Sequence, residues 1–378
     1  MVRDIVLILD PRGIIYSGGQ SAINRQKIYR AELHQESAKK IDLVIFSASH
    51  KDNEKLNAVV QFLFRVSNPT FNFYIFAKKA TQIIKRENFD IKLLVVGDPW
   101  ESYWSAFFLN KFLRLDIPIQ IQIHGDIGSP NWYKMSLINY LRFNLAKLSL
   151  PRASAVRCVG YSQAKFVLNK FNIRKELLSV IPIPISTKLS TASSNSKKVL
   201  TLGLVGRIDH DRGIKNFLGL ITCLNKVRQD FRVMIIGTGP ELFNLKKDLG
   251  ELLPAVRVIF AGELPAKSLQ LAWSKINVLI SMAQSESYGR AMREALVAGV
   301  PVWATKSSGV EDLILMAGKD AVRILDLKKS NHELSKELDQ LLKSKVPQSF
   351  RKQFIQDNST YAHLLAKSWV DLIYKQKL

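Results

Sequence analysis

The chain is poor in cysteine, in histidine and in acidic residues. Only Cys158 and Cys223 occur in 378 residues, far apart and each within an apolar segment. That excludes a disulfide scaffold and a cysteine-built zinc site, and suits two buried, reduced thiols. Six histidines without paired metal spacing add nothing for a transition-metal centre, so no metal is expected. No apolar run approaches the ~20 residues that span a bilayer. The opening "MVRDIVLILD" meets Asp4 at once and reads as a first strand, not a leader, so a cytoplasmic protein is expected. Against 32 acidic residues stand 55 basic ones, a formal charge of +23. A surface this basic repels itself and calls for an anionic partner: nucleic acid, a phosphorylated substrate or anionic lipid.

What is present is a soluble globular composition, 47% hydrophobic, on a chain long enough for two cores. Short β-branched runs alternate with helix-period segments. In the first half the expected strands are "IVLIL", "DLVIFSAS", "FNFYIFA", "KLLVVGD", "PIQIQIHG" and "AVRCVG". In the second they are "LTLGLVG", "FRVMIIGTG", "VRVIFAGE", "NVLISMA", "PVWAT" and "AVRIL". Continuous apolar strands between helices mean parallel sheets covered on both faces, an α/β class with two doubly wound, Rossmann-like domains facing a cleft. The polar stretch 187–198 has linker composition. It separates an acceptor-side domain, 1–186, from a second domain, 199–356, and 357–378 reads as a helix returning to the first domain.

Three strand-to-helix turns of the second domain carry the chemistry. In "LGLVGRIDHDRGIKNF", Gly206 and Arg207 end a strand, and Arg212 and Gly213 open a helix. Two guanidiniums beside a strand-end glycine suit phosphate oxygens, although a solvated basic turn has the same composition. In "MIIGTGPELFNL", Gly237 and Gly239 serve either a tight turn or a backbone brought near a nucleotide, with Pro240 placed as the first helical residue. In "SMAQSESYGRAMREALVAGVPVWAT", Glu286 lies in a loop and Glu294 eight residues on, within a helix. The helix N-terminus around Tyr288 and Gly289 offers backbone N–H groups between them. Taken alone, an acid at a helix start and an ordinary surface glutamate account for the pair.

Together, Gly206–Arg207–x4–Arg212–Gly213, Gly237–x–Gly239–Pro240 and Glu286–x7–Glu294 before "AGVPV" resemble glycosyltransferase family 4, retaining enzymes of the GT-B fold. The resemblance is densest over 200–315. It extends to "YSGGQSAINRQKIYRAEL", "IQIHGD" and "VIPIPIS" in the first domain. It implies that Glu294 binds ribose hydroxyls, that Glu286 holds the hexose, and that Arg207 and Arg212 bind the diphosphate. It implies further that Gly18 and Gly19 admit the β-phosphate and that His124 sits against the donor sugar. Neither cofactor nor metal is then required, the nucleotide diphosphate sugar being the donor substrate. Arg212 replaces the family's usual Lys, Ser186 its Asp, and Ser308–Gly309 with Asp312 its second Gly and Glu. Asp209–His210–Asp211 mimics a DxD metal motif but falls in a variable polar loop.

Between Asp126 and Glu176 no acidic residue occurs, while nine basic ones do: Lys134, Arg142, Lys147, Arg152, Arg157, Lys165, Lys170, Arg174 and Lys175. They interleave with aromatic, amphipathic sequence. A solvated surface and an anionic membrane surface both fit, whereas no nucleic-acid module is recognisable. The expected activity is hexose transfer to a lipid-linked or polysaccharide acceptor in cell-envelope or exopolysaccharide synthesis, such as lipopolysaccharide. A nucleotide-sugar epimerase of the same fold, or an inactive basic membrane or nucleic-acid binder, are the alternatives.

Overall fold

"DIVLILD" has no residue that breaks a strand and nothing polar between its two aspartates. It forms the central strand of the first of two parallel sheets. The computed structural model describes residues 4–17, 19–49, 54–56, 60–65, 72–185 and 199–375. It divides into two units, Met1–Pro184 with Ser359–Leu378, and Ile185–Asn358. Gly18, Ser186 and the stretch 187–198 read as a linker lie outside the described residues.

The first unit holds β1 (Asp4–Asp10), β2 (Ile41–Ser49), β3 (Glu54–Leu56), β4 (Val60–Arg65), β5 (Asp90–Val96), β6 (Ile119–Ile123), β7 (Ala155–Cys158) and β8 (Leu178–Val180). They run in the order β3-β4-β2-β1-β5-β6-β7-β8, all parallel except β3 against β4. Every residue of β2 is buried, which is why its sequence does not alternate. On one face, Leu7, Phe46 and Val96 pack with Phe76, Ala80 and Leu109. On the other, Ile8, Ile45 and Val95 pack with Leu33 and with Leu365 and Trp369 of the long helix Gln348–Lys375. Trp369 is fully buried, edge-on to Tyr29, and its indole N–H donates to Gln120 Oε1 at 2.8 Å. Burial pushes the Cys158 thiol up to about 12, as befits an inert core cysteine.

One expected strand is a helix. Within "FNFYIFA", residues 73–77 belong to the helix Phe73–Glu87, and the strand position beside β2 is filled by β4. Seven letters, six of them apolar, cannot separate the two periods. The longer window does, because buried Phe76, Ala77, Ala80, Ile83 and Ile84 recur at helical spacing. Asn88, left-handed at φ 52°, then closes the helix by donating its N–H to Ile84 O.

The second unit holds β9 (Leu200–Val205), β10 (Phe231–Ile236), β11 (Val258–Gly262), β12 (Val278–Ser281), β13 (Val302–Ala304) and β14 (Val322–Ile324). Their order is β11-β10-β9-β12-β13-β14, parallel throughout. Phe217, Leu220, Leu245, Leu249 and the fully buried Trp303 form its core. Both units are thus doubly wound α/β sheets. In the second the order reverses at β9, so the turns after β9, β10 and β12 converge at one switch point, where open α/β sheets bind ligands.

Candidate functional site

Backbone packing builds the second unit's site. The N–H of Gly206 donates to Ile236 O at 2.9 Å, that of Ile208 to Thr238 O at 2.9 Å and that of Glu241 to Ile208 O at 3.1 Å. These bonds stitch the turn after β9 onto the turn after β10. A Cβ at Gly237 would lie 1.9 Å from Gly206 O, and one at Gly239 2.1 Å from Ile208 O. The glycine pair is therefore required by the contact between the turns themselves. The following helix opens at Leu242, so Pro240 stands in the turn and not at the first helical position.

Gly213, at φ 70°, caps the helix Ile214–Asn225, and a Cβ there would meet Met282 O at 2.1 Å. That close approach sets Arg212 over the turn after β12. Its Nη1 donates to Glu286 Oε2 at 2.5 Å. The other oxygen of Glu286 accepts the N–H of Gly289 at 3.0 Å and that of Tyr288 at 3.3 Å. The amides expected to be open at 288 and 289 are thus occupied by the carboxylate two and three residues before them. The next amides, those of Arg290, Ala291 and Met292, begin the helix Arg290–Val297 and have no carbonyl of that helix to meet, whereas Arg293 donates its N–H to Gly289 O at 3.0 Å. Arg207 is largely exposed and pairs with Asp209 at 2.7 Å, and Asp209 also accepts the N–H of His210.

Glu294 lies within that helix with its side chain only 13% exposed, 3.6 Å from Arg290. Burial raises its pKa, and Arg290 pulls the other way. The Tyr288 side chain faces inward: it is buried, with the Arg293 guanidinium 3.8 Å from its ring centre. Of the site residues read from the sequence, the second unit brings Arg212, Glu286, Tyr288 and Gly289 into one hydrogen-bonded knot. Gly206, Gly237 and Gly239 form a second cluster beside it.

The first unit carries His124 and Gly19. Gly19 starts the helix Gly19–Glu36. His124 follows β6 in a loop pinned by Gln163, whose Nε2 donates to Gly125 O at 2.6 Å while its Oε1 accepts the N–H of Val159 at 2.9 Å. Its ring is exposed to a cavity of about 500 Å³ at the carboxyl ends of β1, β5 and β6. The mass of protein around that recess, then the charges of Arg157 and Arg25, push its pKa down to about 3. A neutral imidazole therefore faces the cavity near neutral pH. Arg157, counted in the sequence as one of nine basic residues of a surface run, is completely buried. It donates to Ile181 O, Pro182 O and Gln122 Oε1.

Two family profiles together span most of the chain. The profile of Glycosyl transferases group 1 matches residues 187–360 and that of Glycosyltransferase Family 4 matches residues 28–189. The chain belongs to this glycosyltransferase family. A 2-deoxystreptamine glucosyltransferase of Streptomyces kanamyceticus is 27% identical over 211 residues, 53% of this chain and 54% of that protein. The chain spans about half the length of the curated relatives it matches. Among solved structures, a sucrose-phosphate synthase from Thermosynechococcus elongatus superposes with a TM-score of 0.68 at 16% identity, over 99% of this chain and 97% of that one. Anabaena HepE in complex with UDP-glucose superposes with a TM-score of 0.63 at 18% identity, over 99% and 97%. At such identities the likeness establishes the GT-B type of fold.

In this family 4 chain, sequence reasoning missed the residues that support the site. Gly309 donates its N–H to Glu286 O at 2.8 Å and has no room for a Cβ, which would stand 2.8 Å from that same oxygen. "SSG" beside the expected nucleotide loop was the only signal, and it carries no contact information. Arg142 was counted in the basic run, yet its Nε and Nη2 both donate to Glu101 Oε1, at 3.0 and 2.6 Å.

Proposed function

We propose that the chain is a retaining glycosyltransferase, moving a hexose from a nucleotide diphosphate sugar to an acceptor held by the first unit. The observation that carries this reading is the Arg212–Glu286 pair, held by close glycine contacts at the switch point of the second sheet. In the reaction the bond from the anomeric carbon to the diphosphate oxygen breaks. An acceptor oxygen bonds to that carbon from the same face, and its proton goes to the leaving diphosphate. Arg212 and Arg207 offset the charge that develops on the diphosphate. Glu286 holds hexose hydroxyls, Glu294 the ribose hydroxyls and His124 the donor sugar as a neutral imidazole. With the leaving charge met by guanidiniums and helix amides, transfer should persist in EDTA.

We place the protein on the cytoplasmic face of a membrane, acting on a lipid-linked or polysaccharide acceptor. Supporting this is the helix Leu137–Ser149. It buries Asn139, Phe143 and Ala146 and turns Leu137, Ile138, Tyr140, Leu141 and Leu148 outward, Leu137 73% exposed. Seven of the nine basic residues between Asp126 and Glu176, all but Arg142 and Arg157, are exposed. Outward apolar side chains in a segment rich in exposed cations suit an anionic lipid surface, at about 1 kcal/mol per surface cation. Among the described residues no helix is long and apolar enough to cross a membrane. Flotation with anionic but not zwitterionic vesicles, lost in L137E/L141E, is the expected result.

The first test is a thermal-shift panel of UDP-, GDP- and ADP-sugars on wild type and Glu294→Ala. A ligand at a hundred times its Kd stabilises by ~2.7 kcal/mol. One nucleotide sugar should stabilise wild type alone. Silence from the whole panel would overturn the reading in favour of a charge-driven binder.

A further inference from the structure

The cavity of the first unit holds spent acceptors and unspent donors. Asp10 and Asp98 line it. Asp10 already accepts the N–H groups of Ile14 and Ile15 at 2.8 Å each and the Ser47 hydroxyl at 3.0 Å. Asp98 accepts the N–H groups of Trp100 and Ser102, the Ser102 hydroxyl at 2.6 Å and Arg12 at 3.2 Å. Neither carboxylate has much capacity left for a ligand.

Two of the guanidiniums that line the same cavity, Arg12 and Arg142, are in the opposite condition, whereas Arg157 commits all three of its nitrogens. An arginine has five N–H donors on three nitrogens. Arg12 commits only Nη2, to Asp98, and its Nε is buried without a partner. Arg142 commits Nε and Nη2 to one oxygen of Glu101, leaving Nη1 uncommitted and the other Glu101 oxygen buried and unpartnered. Arg142 comes from the helix Leu137–Ser149 and Arg12 from the turn after β1, so two separate elements present cationic donors to one recess. Beside them Trp100 and Trp132 stack with ring centres 5.1 Å apart and planes 24° apart, giving a flat apolar wall. At about 500 Å³ the cavity is the size of a small-molecule site.

We infer that this cavity binds an acceptor that is a sugar bearing an anionic group, a carboxylate or a phosphate ester, with Arg12 and Arg142 on the anion and the tryptophan wall against the ring. The assignment of acceptor role rests on the transferase reading; the preference for an anionic sugar does not. Fork-shaped guanidiniums match planar or tetrahedral oxyanions, and partial burial strengthens the pairing. A neutral sugar would leave the same donors unpaired.

Calorimetry on the full chain tests it with glucuronic acid, glucose 6-phosphate, glucose and inorganic phosphate. One of the two anionic sugars should bind about ten-fold or more tightly than glucose and than inorganic phosphate. Which one does identifies the anion. Arg12→Gln should lose that margin while its affinity for the nucleoside diphosphate stays at the wild-type value. Arg142→Gln is made together with Glu101→Gln, so that no buried carboxylate is stranded, and should act likewise. Equal binding of glucose and the anionic sugars, or no binding of any of them, overturns the inference. So does displacement of the bound sugar by the nucleoside diphosphate, which assigns the cavity to the donor. Failure of every nucleotide to bind, with the anionic preference intact, would instead sink the transferase reading and leave the cavity's ligand class standing.

Discussion

Arg212 and Glu286, 74 residues apart in sequence, are joined by a 2.5 Å hydrogen bond between Nη1 and Oε2. The proposed phosphate ligand and the proposed sugar ligand therefore hold each other in place before any donor arrives. Glu286 also caps the amides of Tyr288 and Gly289, so one carboxylate orients both a cation and a helix start.

Glu286→Gln should consequently do more than remove a sugar contact. The amide keeps the shape but loses the charge that fixes Arg212, and hydrogen bonds to charged groups are worth about 1.5–3 kcal/mol. Transfer should fall by about ten- to a hundred-fold in kcat/KM. Arg212→Lys, which restores the residue usual in the family, should retain far more activity than Arg212→Ala. Equal losses for Lys and Ala would show that charge at 212 is not what the site uses.

Glu294 gives a pH test. Burial holds its carboxyl above the usual 4.5, against the pull of Arg290. Because the proposed ribose contact needs the carboxylate, donor affinity should decline as pH falls through a value above the ordinary glutamate range. Glu294→Gln should flatten that limb. The contribution to stability runs oppositely: a raised folded pKa favours folding below the unfolded value and loses that advantage as pH rises through the folded one. Thermal melts and donor binding followed across the acid range should therefore move in opposite senses.

Gly309→Ala reports on how the Glu286 loop is supported. The added Cβ would meet Glu286 O at 2.8 Å and the Ser287–Tyr288 peptide at 3.0 Å, all backbone atoms that cannot swing aside. Overpacking of this kind costs about 1–3 kcal/mol. Activity should drop together with stability, although the residue touches no proposed ligand. A variant with wild-type kcat would separate the loop from catalysis.

Trp369→Ala probes the junction of the last helix with the first sheet. Removing a fully buried tryptophan leaves a cavity and takes from Gln120 Oε1 the shorter of its two hydrogen bonds, at a cost of about 3–5 kcal/mol. Denaturant melts should show the loss in the midpoint. Nucleotide binding at temperatures well below the melt should change little, since Trp369 belongs to the other unit.

The sequence by itself determined the fold class and the second unit's motif positions. Buried parallel strands must be written as continuous apolar runs, and glycines at their carboxyl ends stand out against them. It determined less where a signal is shared by two structures. "FNFYIFA" is equally a strand or a helix turn until the residues beyond it set the period. Arg157 and Lys165 look alike in a basic run, yet the first is wholly buried and the second exposed. What tertiary structure alone decided is the pairing of distant groups: Arg212 with Glu286, Arg142 with Glu101, and Gly309 beneath the Glu286 backbone. Those contacts depend on which strand ends become neighbours, and strand order is set by how the two sheet faces pack, not by any local stretch of chain.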